Sequence, residues 1–184
     1  MISIAKKFIF IHIPKTGGTS IKSVLSKYQH RIPGLHGHHH LDDPHLVDPP
    51  IDQYVEDCFS FACVRNPWER MLSWFFWIRD RNNLPFDTVE FIAYLNDFFK
   101  RWHYTYRQQV DFIKPGVDYL MRYENIDKDF KKVCEIIDVP LVYLPKKNSS
   151  SNNGVDYHDY YNQEALDVIA KECAEDIKYL NYDY

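Results

Sequence analysis

Several features that mark particular classes of protein are missing from this sequence. It has no run of about 18 apolar residues, so we expect no membrane-spanning helix. No secretory signal is visible, because the first apolar run is short and is followed at once by Pro14 and Lys15. The formal net charge of −4 argues against bulk electrostatic attraction to nucleic acid. Any anion site must therefore be built locally.

CxxC spacing is also missing among the four cysteines, which are Cys58, Cys63, Cys134 and Cys173. A cysteine in an apolar strand or on an apolar helix face usually behaves as a small hydrophobic residue. We therefore expect reduced, structural thiols, which are typical of a cytoplasmic protein.

The composition and patterning indicate one compact domain over residues 1–184, with 45% hydrophobic and 16% aromatic residues. Short β-rich apolar runs alternate with helical patterns, and no repeat is evident. The predicted strands are residues 7–13, 58–64, 117–122 and 141–144. The predicted helices are residues 21–28, 66–79, 87–102, 127–137 and 162–180. This alternation predicts a layered α/β fold with a mostly parallel central sheet flanked by helices.

A glycine-containing turn, Pro-Lys-Thr-Gly-Gly-Thr-Ser at residues 14–20, joins the first predicted strand to a helix. The start of a helix offers backbone N–H groups and the positive end of its dipole to an anion. Gly17 and Gly18 let the backbone approach closely. Lys15 adds a positive charge, and Thr19 and Ser20 add hydroxyl groups. An isolated turn of this kind is more often a plain turn with a solvated lysine, but its position between strand and helix predicts an anion site.

The turn differs from a Walker A sequence, in which the lysine follows the second glycine. Here Lys15 precedes both glycines, and no acidic Mg²⁺ ligand is obvious after a predicted strand. The pattern therefore disfavours ordinary ATP use, although a nucleotide kinase or NTPase is the nearest alternative enzyme.

A second anion element is predicted after the second strand, in the segment CVRNPWERMLSWFFWIRD. Arg65 follows the strand, and Asn66 and Pro67 predict a capped helix start. Ser73 lies about two helical turns further on, so it can face the same side as Arg65. An arginine at such a corner can hold a phosphate through two hydrogen bonds. The alternative is a surface ion pair at Arg65 and an ordinary helical serine, and we expect Arg70 to be solvated.

The segment between these elements contains His36-Gly37-His38-His39-His40 within an irregular stretch, residues 29–57. From the residues alone, three interpretations stay open. Alternating histidines suit a zinc site, a long loop is often mobile and without a role, and a histidine can act as a general base near neutral pH.

The two anion elements together resemble those of sulfotransferases that use PAPS (3′-phosphoadenosine 5′-phosphosulfate) as sulfuryl donor and release PAP. The resemblance is greatest to the branch of heparan sulfate 2-O-sulfotransferases and bacterial carbohydrate sulfotransferases. In that family the first loop binds the 5′-phosphosulfate, and an arginine and a serine bind the 3′-phosphate. The resemblance implies a P-loop-like three-layer fold and donor-binding roles for Lys15, Thr16, Gly17, Gly18, Thr19, Ser20, Arg65 and Ser73.

The same resemblance implies which residues carry out the reaction. The 2-O-sulfotransferase branch has a His-Gly-His pair between its two donor-binding elements, which implies that His38 is the catalytic base and His36 its helper. Lys15 would stabilise charge on the leaving phosphate, and no metal is required. A polar loop that closes over the donor is implied at Lys147, Asn148 and Ser149, with a flexible surface loop as the alternative.

The acceptor implied by the family is a hydroxyl group on a carbohydrate, by analogy alone. The remaining alternatives are a non-catalytic nucleotide-, glycan- or metal-binding module and a sulfotransferase fold that has lost its activity.

Overall fold

A computed structural model describes residues 1–30, 57–82, 88–101, 108–114, 116–145 and 156–184. The chain divides into two compact units. The first comprises Met1–Val64 and Asp111–Lys147, and the second comprises Arg65–Val110 and Asn148–Tyr184. Each unit has its own apolar core. A single domain over residues 1–184 stays a prediction.

The described strands are β1 (Ile2–Ser3), β2 (Phe8–Ile11), β3 (Phe59–Val64) and β4 (Tyr119–Arg122). The described α-helices are α1 (Gly18–Leu25), α2 (Pro67–Asn82), α3 (Thr88–Arg101), α4 (Val110–Ile113), α5 (Ile126–Ile136), α6 (Gln163–Glu172) and α7 (Ala174–Leu180). Short 3-10 helices occupy Ser26–Tyr28, Tyr123–Asn125 and Tyr157–Tyr160.

The described strands of the first unit form one sheet in the order β1-β2-β3-β4. β1 is antiparallel to β2, whereas β2, β3 and β4 are mutually parallel. All four residues of β2 are buried, as expected of a strand covered on both faces. Phe10 and Phe61 of the sheet share a buried core with Ile21 of α1 and Phe130 of α5. The predicted α/β fold with a mostly parallel sheet and flanking helices is confirmed.

The second unit is helical around a core that includes Phe75, Phe91, Phe98 and Ile169. Its helix α2 begins at Pro67, as predicted. Asn66 caps this helix, because its Oδ1 accepts hydrogen bonds from the backbone N–H of Trp68 at 3.0 Å and of Glu69 at 3.4 Å.

Two predicted elements differ from the structure. The helix predicted over residues 162–180 is broken at Cys173 into α6 and α7. The break allows Asp176, in the first turn of α7, to be fully buried and to accept a hydrogen bond from the backbone of Val110. The strand predicted at residues 141–144 is wrong. Three of its side chains, those of Leu141, Val142 and Tyr143, are exposed, and no strand among the described residues pairs with it.

Two short elements, β1 and α4, were not predicted, since two and four residues are too few for a periodic pattern. All four cysteines are buried free thiols, as predicted. Within the described ranges, no helix is both long and apolar enough to cross a membrane.

Candidate functional site

The candidate anion loop lies where β2 ends and α1 begins. Because β2, β3 and β4 are parallel, their carboxyl ends lie at one edge of the sheet, where ligands bind in open α/β folds. The loop reverses sharply through left-handed backbone conformations at Lys15, with φ of 68°, and at Gly17, with φ of 83°. Gly18 is then the first residue of α1, so the predicted strand–turn–helix order is confirmed.

Both glycines of the loop lie directly against neighbouring side chains of the first unit. A Cβ atom on Gly17 would come within 2.6 Å of Cδ1 of Ile126 and 3.2 Å of the Tyr123 ring. A Cβ atom on Gly18 would overlap the ring of His12. The glycines therefore let the loop pack closely on the protein. His12 lies in the strand predicted over residues 7–13, and its contact with Gly18 was not predicted from the sequence.

The start of α1 provides a small set of donors. In the first turn of a helix the N–H groups, here those of Gly18 and Thr19, have no partner within the helix. The N–H of Ser20 instead donates to the carbonyl of Gly17 at 3.0 Å. The Thr16 hydroxyl is fully buried and donates to the carbonyl of Ile13 at 3.0 Å, so it stabilises the turn. Lys15, which precedes these groups in the same turn, is half-buried.

The packing at Gly18 gives a direct test of the loop. We expect Gly18→Ala to lower the free energy of unfolding by about 1–3 kcal/mol, because the new methyl group overpacks the His12 ring. Urea denaturation measures the loss. The double variant Gly18→Ala with His12→Ala should regain much of it, with His12→Ala alone as control. A Gly18→Ala variant as stable as the wild type would contradict this packing.

Arg65, the second predicted anion group, follows β3 and belongs to the second unit. Its Nη2 donates to Oε1 of Glu69 at 2.8 Å, and its side chain is only 8% exposed. An ion pair is therefore present at Arg65, but it is largely buried rather than a surface pair. Ser73 is also buried, on α2. The joint binding of a phosphate by Arg65 and Ser73 stays a prediction.

Asn66, which lies between Arg65 and the start of α2, makes further hydrogen bonds within the second unit. Its Nδ2 donates to the backbone carbonyl of Asp183 at 2.8 Å and to the Tyr157 hydroxyl at 3.3 Å. These bonds tie the residue after Arg65 to the carboxyl-terminal part of the second unit.

The second unit also contains a buried polar network that was not predicted from the sequence. Arg70, expected to be solvated, is fully buried, and its Nη1 lies 3.9 Å from Oδ2 of Asp176. The Asp176 carboxylate accepts hydrogen bonds from the backbone of Val110 at 2.9 Å and from Nε2 of Gln109 at 3.2 Å. The one signal in the sequence was that Arg70 directly precedes the apolar residues of α2, one turn before Trp74.

The electrostatics of the network follow from its burial. Desolvation raises the pKa of the Asp176 carboxyl group, while the Arg70 guanidinium and the hydrogen bonds from Gln109 and Val110 act in the opposite direction. Burial therefore disfavours the ionised form of Asp176, and Arg70 and these donors favour it.

Five predicted site residues lie outside the described residues: His36, His38, Lys147, Asn148 and Ser149. Of the others, the structure places Lys15, Thr16 and Gly17 in the turn of the first unit and Gly18, Thr19 and Ser20 at the start of α1, whereas Arg65 and Ser73 are in the second unit.

A model of the sulfotransferase family matches residues 1–183 of this chain. A crystal structure of the mouse sulfotransferase SULT7A1 complexed with PAP is similar, with 19% sequence identity and a TM-score of 0.43. The alignment covers 96% of this chain and 68% of the mouse chain. No curated protein matches the sequence.

Proposed function

The chain belongs to the sulfotransferase family, and we propose that it transfers a sulfuryl group from PAPS to an acceptor hydroxyl. The observation that best supports this donor is the turn between β2 and α1. Its first helical N–H groups have no partner within the helix, and Lys15 precedes them in the same turn. These groups suit the 5′-phosphosulfate of PAPS.

We assign the 3′-phosphate of the donor to Arg65 and Ser73. The Arg65 guanidinium is already largely desolvated and is oriented by Glu69. A phosphate that contacts it would therefore gain a charge-assisted hydrogen bond with little further desolvation of the arginine. Recognition of the 3′-phosphate would distinguish PAPS from ATP, which lacks this group. Lys147, Asn148 and Ser149 are proposed to close over the donor.

The proposed reaction is an in-line displacement like phosphoryl transfer, in which positioning and electrostatics supply most of the catalysis. The acceptor hydroxyl oxygen bonds to sulfur while the bond from sulfur to the bridging oxygen breaks, and PAP leaves. Lys15 stabilises the charge that develops on the bridging oxygen. The hydroxyl proton goes to His38, assisted by His36.

A carbohydrate hydroxyl is the proposed acceptor. The support is the His-Gly-His pair at residues 36–38, which resembles that of the heparan sulfate 2-O-sulfotransferase branch. Screening sulfate transfer from labelled PAPS to saccharides, phenols and lipid alcohols distinguishes these acceptor classes.

Nucleotide affinity tests the donor assignment. We expect calorimetry to give an affinity for PAP at least about tenfold higher than for AMP, because only PAP has the 3′-phosphate that contacts Arg65. ATP with Mg²⁺ serves as the control for a nucleotide kinase or NTPase. Binding of ATP–Mg²⁺ without binding of PAP would reject the proposed donor.

A further inference from the structure

We propose that Gln109 is a positioning residue for Arg65 and thereby sets the recognition of the donor's 3′-phosphate. This inference rests on the proposed function, because it takes Arg65 as the phosphate-binding group. Gln109 lies outside both predicted anion elements, and its role follows from the hydrogen bonds within the second unit.

Gln109 forms two hydrogen bonds with the backbone of a single residue. Its Oε1 accepts from the N–H of Arg65 at 2.9 Å, and its Nε2 donates to the carbonyl of Arg65 at 2.8 Å. Gln109 is fully buried, so water does not compete for these bonds. Two bonds to the same residue restrict both of its backbone torsions, and therefore the direction in which the Arg65 side chain leaves the chain.

Arg65 needs such support because of its place in the chain. It lies after the last residue of β3 and before the first residue of α2, so neither element's regular hydrogen-bond pattern includes it. A buried peptide N–H and carbonyl must each have a partner. A side-chain amide is the group that offers a donor and an acceptor side by side, which a carboxylate or an apolar side chain does not.

A hydrogen bond to Asp176 fixes the orientation of the Gln109 amide. Its Nε2 also donates to Oδ2 of Asp176 at 3.2 Å, and a carboxylate only accepts hydrogen bonds. The NH₂ end must therefore face Asp176, which leaves Oε1 for the N–H of Arg65. Asp176 is held by the backbone of Val110 and by the charge of Arg70. A continuous set of buried contacts thus connects α7 to the position of Arg65.

The ratio of the AMP and PAP dissociation constants separates positioning from a general effect on folding. A loss of folded protein lowers the active fraction for both nucleotides alike, whereas a misplaced Arg65 weakens only the contact that PAP has and AMP lacks. Calorimetry on the full chain gives both constants and the active fraction.

The test compares Gln109→Met with Gln108→Met. Both remove a neighbouring side-chain amide. Gln109 makes three hydrogen bonds, two of them to Arg65, whereas the two of Gln108 go to the Asp176 N–H and the Glu172 carbonyl. We expect Gln109→Met to lower the AMP-to-PAP ratio by about tenfold, as Arg65→Ala should. Gln108→Met should keep the wild-type ratio. Combining Gln109→Met with Arg65→Ala should lower the ratio no further.

Gln109→Asn is the second variant if Gln109→Met does not fold. It retains the amide but is one methylene shorter, so we expect it to lose one of the two hydrogen bonds to Arg65. The AMP-to-PAP ratio of dissociation constants should then fall, but by less than in Gln109→Met. A wild-type ratio in whichever of these two variants folds overturns the role of Gln109. A wild-type protein that does not prefer PAP overturns the proposed function itself, so the two failures are distinguishable.

Discussion

Replacing Lys15 with alanine is expected to lower turnover with PAPS by about 10²- to 10³-fold, the usual effect of removing one group that stabilises developing charge. Lys15 is half-buried in the turn that precedes the first N–H groups of α1. In the proposed reaction the negative charge grows on the bridging oxygen of the leaving group. The loss should therefore appear mainly in kcat, with a smaller loss of PAP affinity.

Lys22 provides the matched control, because it is also a half-buried lysine of this strand–turn–helix segment but lies further along α1. Lys22→Ala should change turnover by less than about threefold, within the range of ordinary surface effects. Initial rates with labelled PAPS measure both variants. Equal losses in Lys15→Ala and Lys22→Ala would mean that Lys15 has no specific role in the reaction.

The largest effect on stability is expected at Arg70. Removing one partner of a buried ion pair typically costs about 3–5 kcal/mol, because the other charge is left buried without compensation. We therefore expect Arg70→Met to lower the free energy of unfolding by about this amount, since both Arg70 and Asp176 are fully buried. Thermal and urea denaturation measure the loss.

The double variant of Arg70→Met with Asp176→Asn identifies the cause. Asparagine is neutral, and its Oδ1 can still accept the hydrogen bond from the backbone of Val110, while its Nδ2 replaces the oxygen that accepts from Gln109. Because removing the buried charge outweighs the loss of one hydrogen bond, the double variant should be more stable than Arg70→Met alone. If adding Asp176→Asn only lowers stability further, the buried charge is not what makes Arg70→Met unstable.

Local sequence signals predicted the elements around the candidate site well. The sequence Asn66-Pro67 at the start of α2 indicated a capped helix, and Asn66 does cap it. The turn before α1 was also predicted, because glycines after a short apolar run are a local signal. Signals of this kind come from residues that are adjacent in the sequence, and the covalent backbone restricts the relative positions of such residues.

Contacts between distant residues could not be predicted in the same way. Arg70 was expected in solvent because an arginine on a helix is usually exposed. It is instead buried beside Asp176, a partner that is distant in the sequence and gives no local signal. The break at Cys173 was missed because residues 162–180 have continuous helical periodicity. The strand predicted at residues 141–144 failed because a strand needs a partner, and apolar residues alone do not supply one.

The sequence by itself determined the family resemblance, the α/β fold class and the turn of residues 14–20 between a strand and a helix, because each depends on residue order over short distances. The tertiary structure alone decided that Gly17 and Gly18 lie against Tyr123, Ile126 and His12. It also decided that Gln109 holds the backbone of Arg65. These contacts join residues that only the folded chain brings together, and burial then makes each unpaired polar group or added methyl group costly.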